Sequence, residues 1–310
     1  MTEQEWHEYR QQQQGIGGSE VASALNLGYK SRFTLWLEKT GQKALEPIDN
    51  EFIEWGNALE PLIRKKFQEK TGFKVYQNHF VLQHDEYDWM LANIDGEYID
   101  PSKEGRGVLE IKTTGEWNKK EWEGDHVPIA YMAQMQHYLA VTGYQYGAIA
   151  CLIGGNKYKE FFIDRDEALI ENIIKGEQAF MQAVETGQYP WDIGGSTDEG
   201  TWLNSRYAQD NGAEMSIPQA IEQMALEYNE IQEQMAQLKS RAEEIKNQIK
   251  LEAQEFRMLK GHNVIINIPT VTKTLFDSKR FQQEHGDLYE QYKTKTSTYR
   301  DFKVKLLEAK

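Results

Sequence analysis

Val108-Leu109-Glu110-Ile111-Lys112-Thr113-Thr114 alternates so strictly that a strand is the one conformation it suits. Leu109 and Ile111 then turn to one face, the core, and Glu110 and Lys112 to the other. Just upstream, Ile94-Asp95-Gly96 ends a second strand-like run, so Asp95 and Glu110 are expected at the ends of neighbouring strands. A strand ending in Glu-x-Lys is usually a solvated edge. Two carboxylates beside a lysine are also the oxygen donors that a hard divalent cation takes, with an ammonium placed to hold a water or neutralise phosphate charge. The pattern therefore points to metal-assisted phosphodiester hydrolysis.

The rest of the chain supplies parts around that strand. Residues 3–14 read as a short helix ending in four glutamines, followed by Gly15-Ile16-Gly17-Gly18-Ser19. The glycines give a tight turn, and Ser19 is expected to cap a helix starting at Glu20. A glycine-rich turn at a helix N-terminus also offers free N–H groups to an anion. Thr34–Gly41 is a short amphipathic helix. Asn50–Thr71 is a longer one, with Phe52, Trp55, Leu59, Leu62, Ile63 and Phe67 forming an apolar stripe closed by Gly72. Glu60 abuts this stripe, an odd place for a merely solubilising carboxylate, and Pro61 is expected to bend the helix just after it.

A meander of strands is expected over Lys74–Gln77, His79–Gln83, Met90–Ile94, Glu97–Ile99 and Gly107–Thr113. A helix from Pro128 to Thr142 then carries Tyr131, Gln134 and Tyr138 on one face. Two further strands, Tyr144–Ile153 and Tyr158–Ile163, precede a helix over Asp166–Thr186.

Residues 217–256 differ in character. Apolar or small residues recur in a 4-3 alternation from Ile217 to Phe256, broken only by Glu252. Such a seam suits pairing with another chain, packing against the following tail, or bracing against its own domain. The tail opens on the strand-like run Asn263–Ile268. It ends in Lys and Arg interleaved with Tyr and hydroxyl residues between Tyr289 and Arg300, a composition suited to phosphate and base contacts.

Composition bounds these readings. At 310 residues, 39% of them hydrophobic, the chain holds a large domain with an appendage. No apolar run approaches the ~20 residues of a membrane span, and Met1–Trp6 lacks the basic and apolar regions of a signal peptide, so a cytoplasmic protein with no membrane partner is expected. The one cysteine, Cys151, excludes an intrachain disulfide and a zinc-cysteine cluster. A net charge of -14 argues against a general nucleic-acid coat protein but is compatible with a nuclease whose cations are concentrated along a channel.

In order along the chain stand Arg10, Gly15-Ile16-Gly17-Gly18-Ser19, Trp55-Gly56-Asn57-Ala58-Leu59-Glu60-Pro61, Ile94-Asp95-Gly96, Leu109-Glu110-Ile111-Lys112 and Tyr131-Met132-Ala133-Gln134-Met135-Gln136-His137-Tyr138. This series, over roughly residues 6–165, resembles the YqaJ-type viral recombinase family, the phage alkaline exonucleases related to lambda exonuclease within the PD-(D/E)XK nuclease superfamily. The resemblance implies an α+β fold with a central mixed sheet flanked by helices. It implies two Mg2+ ions, replaceable by Mn2+, bound by Asp95, Glu110 and the carbonyl of Ile111. Lys112 would orient the attacking water, with Glu60, Gln134 and Tyr138 completing the catalytic set. Gly17, Gly18, Ser19 and Tyr131, with Arg10, would contact DNA or its 5'-phosphate. The family arginine usually stands closer to the glycine turn than Arg10 does, and Arg32 or Lys30 could substitute. Ile94 replaces the superfamily proline, which is not a ligand.

The activity so implied is 5'-to-3' digestion of one strand of linear double-stranded DNA to mononucleotides, leaving 3' single strands for recombination by single-strand annealing. The partners implied are an annealing protein and further copies of the chain in a trimeric ring, in a phage- or prophage-encoded system acting in the host cytoplasm. An endonuclease of the same superfamily and a non-catalytic DNA-binding scaffold are the alternatives. The expected layout is an exonuclease core over 1–211, a long helix within 212–260 and a DNA-contacting strand and tail over 261–310.

Overall fold

A computed structural model of the chain describes residues 15–28, 30–44, 51–124, 126–295 and 300–305. Arg10 lies outside these residues, as does the expected helix over 3–14. The chain divides into two compact units, 1–201 and 202–310, where the sequence placed its first boundary at 211.

The first unit is built on a five-stranded mixed sheet. Its strands are β2 (Lys74–Tyr76), β5 (Gly96–Ile99), β6 (Gly107–Thr114), β7 (Tyr146–Ile153) and β8 (Lys157–Asp164), side by side in that order. β5 and β6 pair antiparallel, with Gly96 opposite Leu109. β6 and β7 run parallel, with Glu110 opposite Ile149 and Lys112 opposite Cys151. A parallel pair needs a crossover, and the helix α4 (Ile129–Thr142) supplies it. This helix ends where Gly143 takes φ 69°, a left-handed conformation that costs glycine little.

The expected meander is broken up. β3 (Leu82–Gln83) and β4 (Met90–Ala92) leave the main sheet and form a small one with β1 (Ile16–Gly17), a strand the sequence did not announce. β1 is parallel to β4, with Ile16 opposite Met90. Two residues are too few for any alternation to be legible. The consequence is structural: the glycine turn is stitched directly to the strand leading into Asp95.

Both faces of the main sheet are covered. On one, α3 (Glu51–Thr71) packs Ile63 and Phe67 against Tyr98, Leu109, Ile111, Ala148 and Ala150. On the other, α4 packs Met135, Tyr138 and Leu139 against Val108, Ile149, Cys151 and Ile153. Glu110 and Lys112 thus lie on the side of α4, while Leu109 and Ile111 are buried as expected. Cys151 is a buried hydrophobe, its thiol pushed up to about 12 by burial.

The stripe expected on α3 is only half right. Ile63 and Phe67 are in the core, but Trp55 and Leu62 are 61% and 63% exposed. The face turned inward runs through Gly56, Leu59, Glu60, Ile63, Arg64 and Phe67, and Gly56 abuts Thr113 at the end of β6. Glu60 sits on this inward face. The helix runs on through Pro61 as one element from Glu51 to Thr71. Helix α1 (Gly18–Ala24) packs on α4, and α2 (Arg32–Lys39) and α5 (Glu167–Thr186) complete the layer, with α6 (Thr197–Arg206) following.

The second unit centres on the 35-residue helix α7 (Gln219–Ala253). A hairpin of β9 (Met258–Lys260) and β10 (Ile265–Asn267) follows, then α8 (Ser278–Glu284) and α9 (Gly286–Tyr292). The strand-like run expected over Asn263–Ile268 is found as β10, and the basic, aromatic segment from Tyr289 begins inside α9, where Leu288, Tyr289 and Tyr292 fall at helical spacing. Residues 296–299 of that tail lie outside the described residues.

Candidate active site

The site lies where β4 gives way to β5 and β6 runs toward its C-terminal end. Asp95 stands immediately before β5, and its Oδ2 accepts the N–H of Ile111 at 2.7 Å. The register that pairs Gly96 with Leu109 leaves Ile111 past the end of the β5 ladder. N–H and C=O of one strand residue point to the same side, so the Ile111 carbonyl faces the same strand-free space as its N–H.

Glu110 reaches into the face covered by α4. Its Oε1 accepts from Lys112 Nζ at 2.5 Å and from Gln134 Nε2 at 2.8 Å. Its other oxygen, Oε2, is buried with no hydrogen-bond partner. Gln134 Nε2 also donates to the Tyr138 hydroxyl at 3.0 Å, and that hydroxyl donates to the carbonyl of Asn93, again at 3.0 Å. Residues 134 and 138 are one helical turn apart, which is why one helix can hold Glu110 and, two residues before Asp95, the strand backbone. Tyr131, one turn earlier, presents its ring 5.0 Å from the Lys112 ammonium and stacks on buried Trp122.

From the other face, Arg64 donates from Nη2 to Glu60 Oε1 and, at 2.9 Å, to the carbonyl of Asp95. Arg64 is the residue of this cluster that sequence reasoning missed. It lies four residues after Glu60 on the same helical face, a spacing that was available as a signal. Its Nε is buried without a partner.

The electrostatics follow from this packing. Burial, then the charge of Glu110, drives the Asp95 carboxyl well above the usual carboxylate range, against the pull of Lys112 and the Ile111 N–H. Burial also raises Glu110, opposed by Lys112 and Gln134. Burial alone would lower Lys112, but the charge and hydrogen bond of Glu110, with Asp95, hold its ammonium above its ordinary value.

This donor set fits a hard cation. Glu110 Oε2 is a buried acceptor without a donor, an arrangement that is costly unless a ligand completes it. Burial pushes both carboxyls toward neutrality, helped at Asp95 by the charge of Glu110 and at Glu110 by that of Glu60, and a positive charge beside them would relieve both. Among the described residues no group of three or more Asp, Glu, His or Cys converges to hold a metal unaided. Asp95, Glu110 and the Ile111 carbonyl are instead the sparse set that suits Mg2+, which keeps waters and completes its shell with substrate phosphate.

The glycine turn departs from its expected role. Helix α1 begins at Gly18 with Gly17 as N-cap, and Ser19 is exposed one position inside, so Ser19 is not the cap. Glu20 turns back instead, accepting the Gly17 N–H at 3.1 Å and the ammonium of buried Lys39 at 2.9 Å. Lys39 also donates to the Gly15 carbonyl at 2.8 Å. Gly17 therefore spends its N–H inside the protein. Gly18 lies against the Tyr138 ring, where a Cβ would stand 2.2 Å from Cε1. Arg32 donates to the carbonyl of Ala24 at 2.8 Å and lies over the Trp191 ring, and Lys30 pairs with Glu38 at 2.8 Å. Both cations offered as substitutes for Arg10 are thus engaged within the fold.

A buried pair supports the site from behind. His137 Nδ1 lies 2.7 Å from Glu177 Oε1, and Nε2 lies 2.9 Å from the Leu91 carbonyl. A carbonyl only accepts, so Nε2 bears a proton. Burial would lower the His137 pKa, but Glu177 and the Leu91 carbonyl outweigh it and hold the ring above its usual value. One imidazole thereby ties α4 and α5 to the strand entering the site.

A mixed sheet with helices on both faces, carrying Asp95 just before β5 beside Glu110 and Lys112 within β6, defines a PD-(D/E)XK type of α+β fold. The sequence profile of the YqaJ-like viral recombinase domain matches residues 5–145. The chain is 34% identical to protein YqaJ of Bacillus subtilis (strain 168) over 309 residues, 98% of this chain and 95% of the relative. The chain belongs to the YqaJ-like viral recombinase family. Among solved structures it is similar to the alkaline exonuclease LHK-Exo of Laribacter hongkongensis, with a TM-score of 0.51 and 25% identity over 59% of this chain and 93% of that one. The complex of LHK-Exo with dAMP matches equally, with a TM-score of 0.51 and 26% identity over the same shares.

Proposed function

We propose that the protein is an Mg2+-dependent deoxyribonuclease that digests one strand of linear double-stranded DNA from its 5' end, releasing mononucleotides and leaving a 3' single strand for an annealing protein. One observation carries the reading. Buried Glu110 has an unpartnered oxygen beside Asp95, with the Lys112 ammonium in contact with the same carboxylate. The likeness to LHK-Exo, an alkaline exonuclease solved with a mononucleotide, supports the reaction class and its product.

Asp95, Glu110 and the Ile111 carbonyl would hold two Mg2+ ions, for which Mn2+ would substitute. Bound there, the cations polarise the phosphate and make a water more acidic. Lys112, held as an ammonium against Glu110, would orient the attacking water and offset negative charge arising at the phosphate. Gln134 keeps one Glu110 oxygen engaged, so the other is the one presented. Tyr138 and Arg64 fix the carbonyls of Asn93 and Asp95, and so set where the Asp95 carboxylate stands. Tyr131 limits where the Lys112 side chain can swing.

The 5' end is assigned to the N-terminal turn region and Arg10, with exposed Ser19 available to a strand. Among the described residues no helix is long and apolar enough to cross a membrane, in keeping with action on DNA in a host cytoplasm. Incubation with Mg2+ and DNA labelled separately at each end tests the reading. Linear duplex should lose its 5' label first as mononucleotide, while covalently closed circles persist. Nicking of the circles, or loss of the 3' label first, would refute the assigned specificity.

A further inference from the structure

Helix α7 exposes the seam that the sequence announced. From Ile221 to Ile245 its large apolar residues are between 42% and 70% exposed. Phe302 meets Tyr228 edge-on at 5.2 Å between ring centroids and still leaves it 42% exposed. An amphipathic helix of this length exposes such a row at a large hydrophobic cost unless something covers it.

The order of residues along the seam identifies the cover. Reversing a helix against a second copy brings the first apolar position of each heptad opposite the second position of the other. With the two-fold axis beside Glu233, Ile221 faces Ile245, Met224 faces Ala242, Tyr228 faces Leu238, and Ile231 faces Met235. Every layer is apolar, and the large Met224 meets the small Ala242. The flanks agree: Glu227 comes opposite Arg241 of the other copy, once on each side of the axis, and Gln234 comes opposite Gln234. A parallel pairing in register would instead set Arg241 against Lys246 of its neighbour, a like-charge contact. Among the described residues, Arg241 and Lys246 pair with solvent-facing Glu244 and Glu243 of their own helix, at 2.9 and 2.8 Å, exposed contacts that exchange readily.

We infer that the seam of α7 is a two-fold self-association surface, which joins two copies of the chain through an antiparallel helix pair centred on Glu233. Such an isologous contact is closed and yields a dimer at this surface. It is independent of the nuclease reading, since it uses nothing in the first unit.

The test is charge reversal in the full-length protein, read by sedimentation equilibrium. Glu227→Arg places like charges opposite each other twice and should weaken association at this surface at least tenfold. Glu227→Arg combined with Arg241→Glu should restore it, although the two positions lie far apart on one helix and cannot compensate within a chain. A Gln234→Cys variant, in which Cys151 is buried, should form a disulfide-linked dimer under mild oxidation. An unchanged mass for the single reversal, failure of the double reversal to restore it, or absence of the cross-linked dimer would each overturn the inference.

Discussion

Replacing Gly18 by Ala gives the sharpest test of how the glycine turn serves the site. At the first position of a helix, alanine normally improves on glycine by roughly 0.5–1 kcal/mol, because it has less backbone entropy to lose. Gly18 does not adopt a left-handed conformation, so the backbone offers no objection. The objection is Tyr138, whose Cε1, Cζ and hydroxyl oxygen would lie 2.2, 2.4 and 2.6 Å from the new methyl group. Overpacking of that kind costs about 1–3 kcal/mol. The substitution should therefore destabilise, lowering Tm by a few degrees in a unit of about 200 residues. The displaced ring carries the hydroxyl that joins Gln134 to the Asn93 carbonyl, so hydrolysis should fall further than stability. A misplacement of about 1 Å is enough to cost 100-fold. Thermal melts of Gly18→Ala in the native and Tyr138→Ala backgrounds separate the causes: the penalty should vanish, or become a gain, once the ring is gone. An Ala substitution that stabilises the native background would refute the account of this contact.

Other outcomes follow from the same geometry. Asp95→Asn should raise the Tm of the metal-free protein at neutral pH. The folded state holds the Asp95 proton to higher pH than the unfolded one, so native stability falls as pH rises from the ordinary carboxylate range to the raised value, and the variant escapes that loss. Melts of both proteins from pH 4 to 8 check the sign. For the same reason, cation binding to the native protein should weaken on acidification already above the usual carboxylate range, because the raised carboxyls must give up their protons before they can hold the ion. Arg64→Gln frees Glu60 and the Asp95 carbonyl together; single-turnover hydrolysis should drop tenfold or more with the fold retained by circular dichroism. His137 has a raised folded pKa, so its contribution is full below about pH 6.5 and is lost as pH rises through the folded value. The Tm gap between native protein and His137→Gln should accordingly be widest in mild acid and narrow toward alkaline pH.

The parts of the site that were legible in the sequence are those fixed by local period. Alternation placed Glu110 and Lys112 on one strand face, and the helical turn placed Gln134 under Tyr138; both arrangements are found. Glu60 stood out because a carboxylate beside an apolar stripe has to be held by something, and Arg64 is what holds it. What failed to show was set by tertiary pairing. The two-residue β1 has no pattern of its own and exists because Ile16 hydrogen-bonds to the backbone of Trp89. Ser19 looked like a cap because serine commonly is one, but Glu20 reached the turn's N–H first from inside the helix. Trp55 and Leu62 fit a helical stripe by spacing alone, yet the face that α3 turns to the sheet runs through Leu59, Ile63 and Phe67 and leaves them outside it. Arg32 seemed free for phosphate because nothing local accounts for it; its partners, Ala24 and Trp191, lie far apart in the chain.

The central claim is that Asp95 and Glu110 together bind the cation on which hydrolysis depends. Its most direct test is calorimetric titration of Mn2+ into the native protein and into the Asp95→Asn, Glu110→Gln double variant, with linear-duplex digestion measured on the same preparations. The account predicts metal binding and digestion by the native protein and neither by the variant, with the circular dichroism spectrum unchanged. Digestion by the double variant at the native rate would contradict it.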